Sequence, residues 1–257
     1  MLELHAHPEN AGAVFQVASQ FNCLEFVGPE VVPEHGVTGY ASDLTQGPAC
    51  SLAAAAATVV RNYFVPVDGV AGQTRDRQLD NLHGLAALLG AHWDVVNGYV
   101  HSDAARLRRL DAALTAHDRE TVLGTVKVGL HRDVGVTFAR RFAEPAEPTH
   151  VTQVFCSAIS CGYSSVPRDH WKALATLVLE AAYEATLRAA LLVGARRVWL
   201  TFLGGGVFGN RLEWIGESIG RALARMDNHD LDVHIAHYRA HDPAMERAIE
   251  LARRTAR

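Results

Sequence analysis

The stretch VWLTFLGGGVFGN, residues 198–210, decides how the rest of the chain is read. Six apolar or β-favouring residues run into Gly204, Gly205 and Gly206, and Val207, Phe208, Gly209 and Asn210 follow. Directly after it, RLEWIGESIGRALARM places Ile215, Ile219 and Leu223 at helical spacing. The order is therefore strand, glycine turn, helix. In open α/β sheets ligands bind outside the carboxyl ends of the strands. A glycine turn there lets backbone N–H groups face a ligand with no Cβ in the way. The helix behind it adds unpaired N–H groups and a positive dipole end, which favour phosphate or pyrophosphate. A tight turn needs only one or two glycines for its geometry. Asn210 is expected to cap the following helix.

Working outward, the C-terminal half reads as alternating strands and helices. HVTQVFCSAI (150–159) is a strand. A long helix starts at Pro167, with Trp171, Leu174, Val178, Ala182, Ala185 and Ala189 as its buried stripe. The strand RVWLTFL, the glycine turn and its helix come next, then the strand LDVHIAHY and a last helix from about Pro243. Such alternation predicts a largely parallel sheet covered on both faces by helices. Further upstream, AVFQVASQF (13–21) reads as a strand and 28–48 as a turn-rich stretch. One helix is expected over 48–64 with Pro48 at its first position, and another over 73–90 with Thr74 as cap and Gly90 as stop. An amphipathic helix over 103–117 carries Leu107, Leu110 and Leu114. The run from Thr121 to Phe138 switches to period two and predicts a β-hairpin turning near His131-Arg132-Asp133, which makes the sheet mixed. The expected architecture is a three-layer α/β/α sandwich with a mixed, largely parallel sheet. It forms one domain over 1–257 with a helical and hairpin insertion at about 65–140.

Bulk properties narrow the function classes. The chain has 257 residues, 49% hydrophobic and 20% charged, with a formal net charge of −4. That is an ordinary globular composition, without the basic patch of a nucleic-acid binder. No signal-peptide pattern is readable, and no apolar run has the length of a membrane span. Cys23, Cys50, Cys156 and Cys161 form no CxxC and no ligand spacing with histidine, so reduced thiols in a cytoplasmic protein and no metal site are expected. Two nucleotide motifs fail in detail. No G-K-[ST] is present, so this is no P-loop. Gly204, Gly206 and Gly209 satisfy G-x-G-x-x-G, but Asp230 and Asp232 lie at the start of the next strand rather than its end, which weakens an NAD(P)-dependent oxidoreductase reading.

The stretch and its helix resemble the strand, phosphate-binding loop and helix of the macrodomain family. There an aromatic residue of the loop lies against the ribose end of ADP-ribose, and Phe208 stands in the matching place. FQVASQFNCLEF is similar to the strand leading to the family's catalytic-loop asparagine, with Asn22 as the matching residue and Gln20 beside it. DLTQGPACSLAAAAATVVRNYF stands where the family has a second glycine-rich segment running into a helix. Its TQGP is similar to the glutamine segment of poly(ADP-ribose) glycohydrolases, which share the fold. The two glutamates that follow that glutamine are replaced by Gly47 and Pro48, no triple glycine precedes it, and the segment from about 65 to 125 has no counterpart in a minimal macro module.

The resemblance implies a site for ADP-ribose or a related nucleotide diphosphate sugar, free or carried on a protein, with no cofactor. Its ligand-binding residues are Gln20, Asn22, Thr45, Gln46, Gly47, Gly204, Gly205, Gly206, Val207, Phe208, Gly209 and Asn210. Asn22 would hydrogen-bond the terminal ribose, or merely cap a turn. Thr45, Gln46 and Gly47 precede a helix start and either form a second anion cradle or a plain N-cap led by Thr45. Hydrolysis of an ADP-ribose conjugate wants a base for water; among Glu25, Glu34 and Asp43, Asp43 is the first candidate. Glu180 and Glu184 read as surface charges, and Trp199 and Trp214 as packing residues. Besides the hydrolase, a non-catalytic ADP-ribose reader and a scaffold with a filled cleft remain open.

Overall fold

The structure, a computed structural model, describes residues 1–140, 142–237 and 240–256. In chain order, helix α1 (Leu2–Ala6) leads into strand β1 (Val14–Ala18), and a long coiled stretch reaches α2 (Gln46–Ala53) and α3 (Ala55–Tyr63). Two small hairpins follow, β2 (Pro66–Val67) with β3 (Val70–Ala71), then, after α4 (His83–Leu89), β4 (Asp94–Val96) with β5 (Tyr99–His101). Next come α5 (Ala104–Thr115), α6 (Arg119–Gly124) and β6 (Gly129–Gly135). The last part is β7 (His150–Cys156), α7 (Lys172–Val193), β8 (Arg197–Thr201), α8 (Leu212–Arg225), β9 (Asp232–Ala236) and α9 (Pro243–Thr255). Tyr238, which ends the run read as the last strand, lies outside the described residues.

The central sheet has five strands in the order β6-β7-β1-β8-β9. The pairs β7–β1, β1–β8 and β8–β9 are parallel, and β6 is antiparallel to β7. This is the mixed, largely parallel sheet that the alternation predicts. Strand alternation sends Gln16 and Val14 to one face, under α7, and Phe15 and Val17 to the other, where α1 and α2 lie. The first face carries the larger core, with Trp171, Leu174 and Val178 of the expected stripe fully buried.

Four local expectations are corrected. The period-two run 121–138 is not a hairpin. Its first half is α6, because the Asp118 side chain accepts from Thr121 N–H and starts a helix. Its second half is the single edge strand β6, and the residues read as a turn are a bulge between His131 and Val134, with Asp133 at φ 52°. The helix over 48–64 is broken at Ala54, because the amides of Thr137 and Phe138 both take the Ala53 carbonyl. It starts at Gln46, so Pro48 is its third residue. Of the helix over 73–90 only His83–Leu89 forms, since Thr74 bridges Arg77 and the Asp80 side chain accepts from Leu82 N–H, although Gly90 does stop it. Glu180 and Glu184 are buried rather than surface charges, held by Arg119, Arg188, Arg221 and Arg225. Trp214 is buried and Trp199 is stacked between Phe15 and His234.

Candidate functional site

A cleft of about 670 Å³ opens where β1 and β8 part. β1 pairs with β7 along five residues but with β8 only at Val14 and Phe15. Beyond Phe15 three side chains stand in for the missing ladder. Ala13 O and Ser19 N bond β7, so by alternation Gln16 O and Ala18 N face β8. Gln46 takes both: its Oε1 accepts from Ala18 N–H at 2.8 Å and its Nε2 donates to Gln16 O at 2.7 Å. On β8, Thr201 N–H donates to Gln16 Oε1, and the Tyr183 hydroxyl donates to Thr201 O while accepting from Leu203 N–H. Each of these ladder groups thus keeps a partner, which lets the strands splay. The gap lies at the carboxyl ends of the strands, where the strand order switches from one side of β1 to the other.

One wall of the cleft is the glycine turn. Gly204 has φ 69°, and a Cβ there would meet Ala158 Cβ and Asn210 Nδ2 at 2.5 Å, so both conformation and space require glycine. A Cβ on Gly205 would meet Ile215 Cδ1 at 3.3 Å, whereas one on Gly206 would have nothing within 4 Å. The turn is closed by Gly205 N–H to Phe202 O, Gly209 N–H to Gly206 O and Asn210 N–H to Gly204 O. The amides of Gly204, Gly206, Val207 and Phe208 donate to no acceptor among the described residues. Gly205, Gly206 and Val207 are exposed. The expectation that Asn210 caps the next helix is corrected: Arg211 holds that position, and the buried Asn210 amide instead braces the turn, donating to Ile159 O at 2.8 Å.

The opposite wall comes from 19–27 and 43–48. Gln20, Asp43, Thr45, Gln46 and Gly47 line the same cleft as Gly204, Gly205, Gly206, Val207 and Phe208. Asn22, Gly209 and Asn210 are not among the lining residues. Asn22 is fully buried; its Oδ1 accepts from Leu24 N–H and its Nδ2 donates to Gln78. That is an Asx turn, the cap alternative. Thr45 occupies the N-cap position of α2 but makes no side-chain cap bond, because its hydroxyl and its N–H both donate to Asp43 Oδ1. Gly47 is pressed against the Ala18 carbonyl, and a Cβ on it would stand 2.8 Å from Glu25 Cγ.

Glu25 itself lines the cleft and is 3% exposed. Its carboxylate accepts from Arg61 Nη2 at 2.9 and 3.1 Å and from Ser51 Oγ at 2.8 Å. Burial pushes the Glu25 carboxyl up to about 7, against the opposing pull of Arg61 and these hydrogen bonds. Burial likewise raises all four thiols, and Cys156, the one that lines the cleft, goes up to about 12. No lysine or arginine lines the cleft among the described residues. A second depression lies along α9, lined by Glu246, Arg247, Glu250, Leu251 and Arg254.

The sequence reading passed over an aromatic cluster at one end. Tyr99, Tyr163 and Phe208 have ring centroids 5.2, 5.6 and 5.9 Å apart, and all three line the cleft. Tyr99 sits one residue past the Asn97-Gly98 turn of the β4–β5 hairpin, with φ 50° and 76° at the two turn residues. Asn-Gly between β-favouring residues is a strong hairpin signal and was legible in DVVNGYV. A Cβ on Gly98 would meet Gln20 Cβ at 2.6 Å, so the hairpin docks tightly on the 19–27 loop. Gln20 is held there by Phe26 N–H, Phe26 O and the Tyr99 hydroxyl.

No protein-family model matches the chain, and no curated protein matches its sequence. Similar solved structures include poly(ADP-ribose) glycohydrolase from Thermomonospora curvata bound to the inhibitor ADP-HPD, at 21% identity, covering 58% of this chain and 57% of that one, with a TM-score of 0.37. The Deinococcus radiodurans enzyme in complex with ADP-ribose is similar at 17% identity, 50% and 52% coverage and a TM-score of 0.40. Its apo form is similar at 14% identity, 58% and 66% coverage and a TM-score of 0.38. The chain spans less than two thirds of the length of these glycohydrolases.

Proposed function

We propose that the cleft binds ADP-ribose or a related nucleotide diphosphate sugar and that the protein hydrolyses an ADP-ribose conjugate. The observation that carries the binding is the set of four backbone amides, on Gly204, Gly206, Val207 and Phe208, with no acceptor among the described residues. They sit just before α8, whose N-terminus adds its positive dipole end. A pyrophosphate diester, with one negative charge per phosphate, suits a turn of backbone amides in a cleft that no lysine or arginine lines among the described residues. The aromatic end formed by Tyr99, Tyr163 and Phe208 suits the faces of a ribose or base. In this reading Gln20, Thr45, Gln46 and Gly47 shape the opposite wall, and Asp43 stands at the rim where it can orient water.

The test is calorimetric titration with ADP-ribose, with AMP and inorganic phosphate as controls. Saturable ADP-ribose binding, lost in Gly206→Val, supports the reading; no binding by the folded wild type ends it. A non-catalytic reader is the second reading. It is favoured by the state of Asn22 and Gln46, whose amides are engaged in the turn and in the strand gap. Release of ADP-ribose from an ADP-ribosylated protein separates the two.

A further inference from the structure

The geometry points to Glu25 as the proton donor and acceptor of this cleft, serving the glycosidic bond of the bound conjugate in place of Asp43. The inference rests on the ADP-ribose reading above and assigns its chemistry to a residue.

Among the described residues three carboxylates line the cleft: Glu25, Asp43 and Asp242. Two of them serve chain turns. Asp242 Oδ1 accepts from Ala244 and Met245 N–H and starts α9, and Asp43 Oδ1 accepts twice from Thr45 ahead of α2. Glu25 caps nothing. It is brought to the cleft floor by the loop after β1 and lies over Gly47, where the absence of a Cβ leaves it room. Arg61 fixes that loop as well, donating through Nε to Cys23 O at 2.7 Å while its Nη2 reaches Glu25 and Ser51. Carboxylate oxygens accept more than one hydrogen bond each; among the described residues Glu25 Oε1 accepts from Arg61 Nη2, and the Tyr40 hydroxyl also reaches this carboxyl. Oε1 is the oxygen that takes a proton or a substrate oxygen in this assignment.

The groups that face Glu25 are Arg61 from α3, Ser51 and Cys50 from α2, Tyr40 from the turn ahead of α2, and Cys23 from its own loop. Arg61 is the cation among them, and it is too weak to overcome burial, so the carboxyl titrates near neutrality. A carboxyl poised there can both give and take a proton. In the step, the bond between the anomeric carbon of the distal ribose and the conjugate oxygen breaks. Its electron pair stays on that oxygen, which takes the Glu25 proton and leaves as a hydroxyl. Water adds to the anomeric carbon, and its released proton returns to the Glu25 carboxylate. The products are ADP-ribose and the free hydroxyl compound, and the residue ends as it began.

The experiment compares wild type, Glu25→Gln, Glu25→Asp and Asp43→Asn. Thermal unfolding reports the fold, calorimetry reports ADP-ribose affinity, and release of ADP-ribose from a peptide carrying it on a serine oxygen reports turnover. The expected result for Glu25→Gln is at least a hundredfold lower kcat with ADP-ribose affinity within about threefold of wild type. Wild-type kcat should fall above about pH 7 as the donor is lost. Asp43→Asn, at the residue that can orient water, should lower kcat by less than Glu25→Gln does. Should Glu25→Gln fail to fold, Glu25→Asp decides, since it keeps the charge against Arg61 and withdraws the carboxyl by one methylene: reduced kcat with retained affinity is expected. Unchanged turnover in a folded Glu25 variant overturns the assignment. So does a wild type that binds ADP-ribose and releases none from the peptide, an outcome that leaves the binding reading standing, whereas absence of ADP-ribose binding removes the reading itself.

Discussion

The two walls of the cleft are built by opposite means. The 204–209 wall offers backbone: four amides without acceptors among the described residues, no charge of its own, and a braced turn behind them. The 19–48 wall offers side chains, and nearly all of them are already held: Gln20 by Phe26, Gln46 by β1, Glu25 by Arg61 and Ser51. The difference teaches where substitutions act. On the glycine wall a Cβ added at Gly206 meets no neighbour, so it is expected to change binding and not the fold. On the other wall, removing a side chain disturbs the fold first, because a buried polar group loses its partner.

The largest effect should follow from breaking the side-chain wall. Arg61→Met removes the cation paired with buried Glu25 and the donor to Ser51, and is expected to cost about 3–5 kcal/mol, read from urea unfolding. If it costs under 1 kcal/mol, the two walls are not different in kind.

Acid tests the same wall from beneath. His5 is fully buried; Gln153 Nε2 donates to its Nε2 at 3.1 Å, and its Nδ1 bonds Met1 O, so the ring is neutral. Burial holds it down to about 4 from 6.5. A histidine lowered on folding contributes stability that is present above pH 6.5 and is lost as pH falls through about 4. That is roughly 3 kcal/mol over the window. Gln153 also donates to Cys50 O in α2, so the loss reaches the 43–48 segment. In His5→Phe the acid limb of the stability curve should flatten; a limb of unchanged slope would show that other groups set it.

On the glycine wall, Gly206→Val should leave the melting temperature within a few degrees, since its Cβ meets nothing within 4 Å. Affinity for ADP-ribose should fall about a hundredfold, the equivalent of two charge-assisted hydrogen bonds lost. Gly205 is a poorer probe, because its Cβ would press on Ile215.

The smallest change sharpens the boundary between the walls. Tyr99→Phe keeps the ring beside Phe208 and removes a hydroxyl that bonds Phe26 O and Gln20, both at 3.3 Å. About 1 kcal/mol of stability should go, with ADP-ribose affinity nearly unchanged. A large loss of affinity would place the hydroxyl itself on the ligand.

The glycine turn was legible because strand, turn and helix are local patterns, and the 43–48 segment was legible as a helix start. The aromatic end was legible in part, through Asn97-Gly98. Glu25 stood in the sequence as one loop acid among several. Its rank over Asp43 depends on Arg61, Ser51 and Gly47, which approach it from other elements. Asn22 shows the reverse. Its position suits a ligand contact, yet Gln78, fifty-six residues on, takes its amide.

By itself the sequence determined the β-α-β-α-β-α order of the C-terminal half. Burial of both sheet faces writes long apolar strands, helical periodicity writes the stripe on α7, and neither needs knowledge of a distant residue. Tertiary structure alone decided that β1 and β8 part after Phe15. The parting depends on Gln46 reaching Gln16 O across 30 positions, Tyr183 reaching Thr201 O across 18 and Gln16 reaching Thr201 N–H across 185. A glutamine or tyrosine carries no local mark saying which backbone group it will satisfy, because a hydrogen bond of this kind is specified by where the fold brings the two groups and not by the residues beside them.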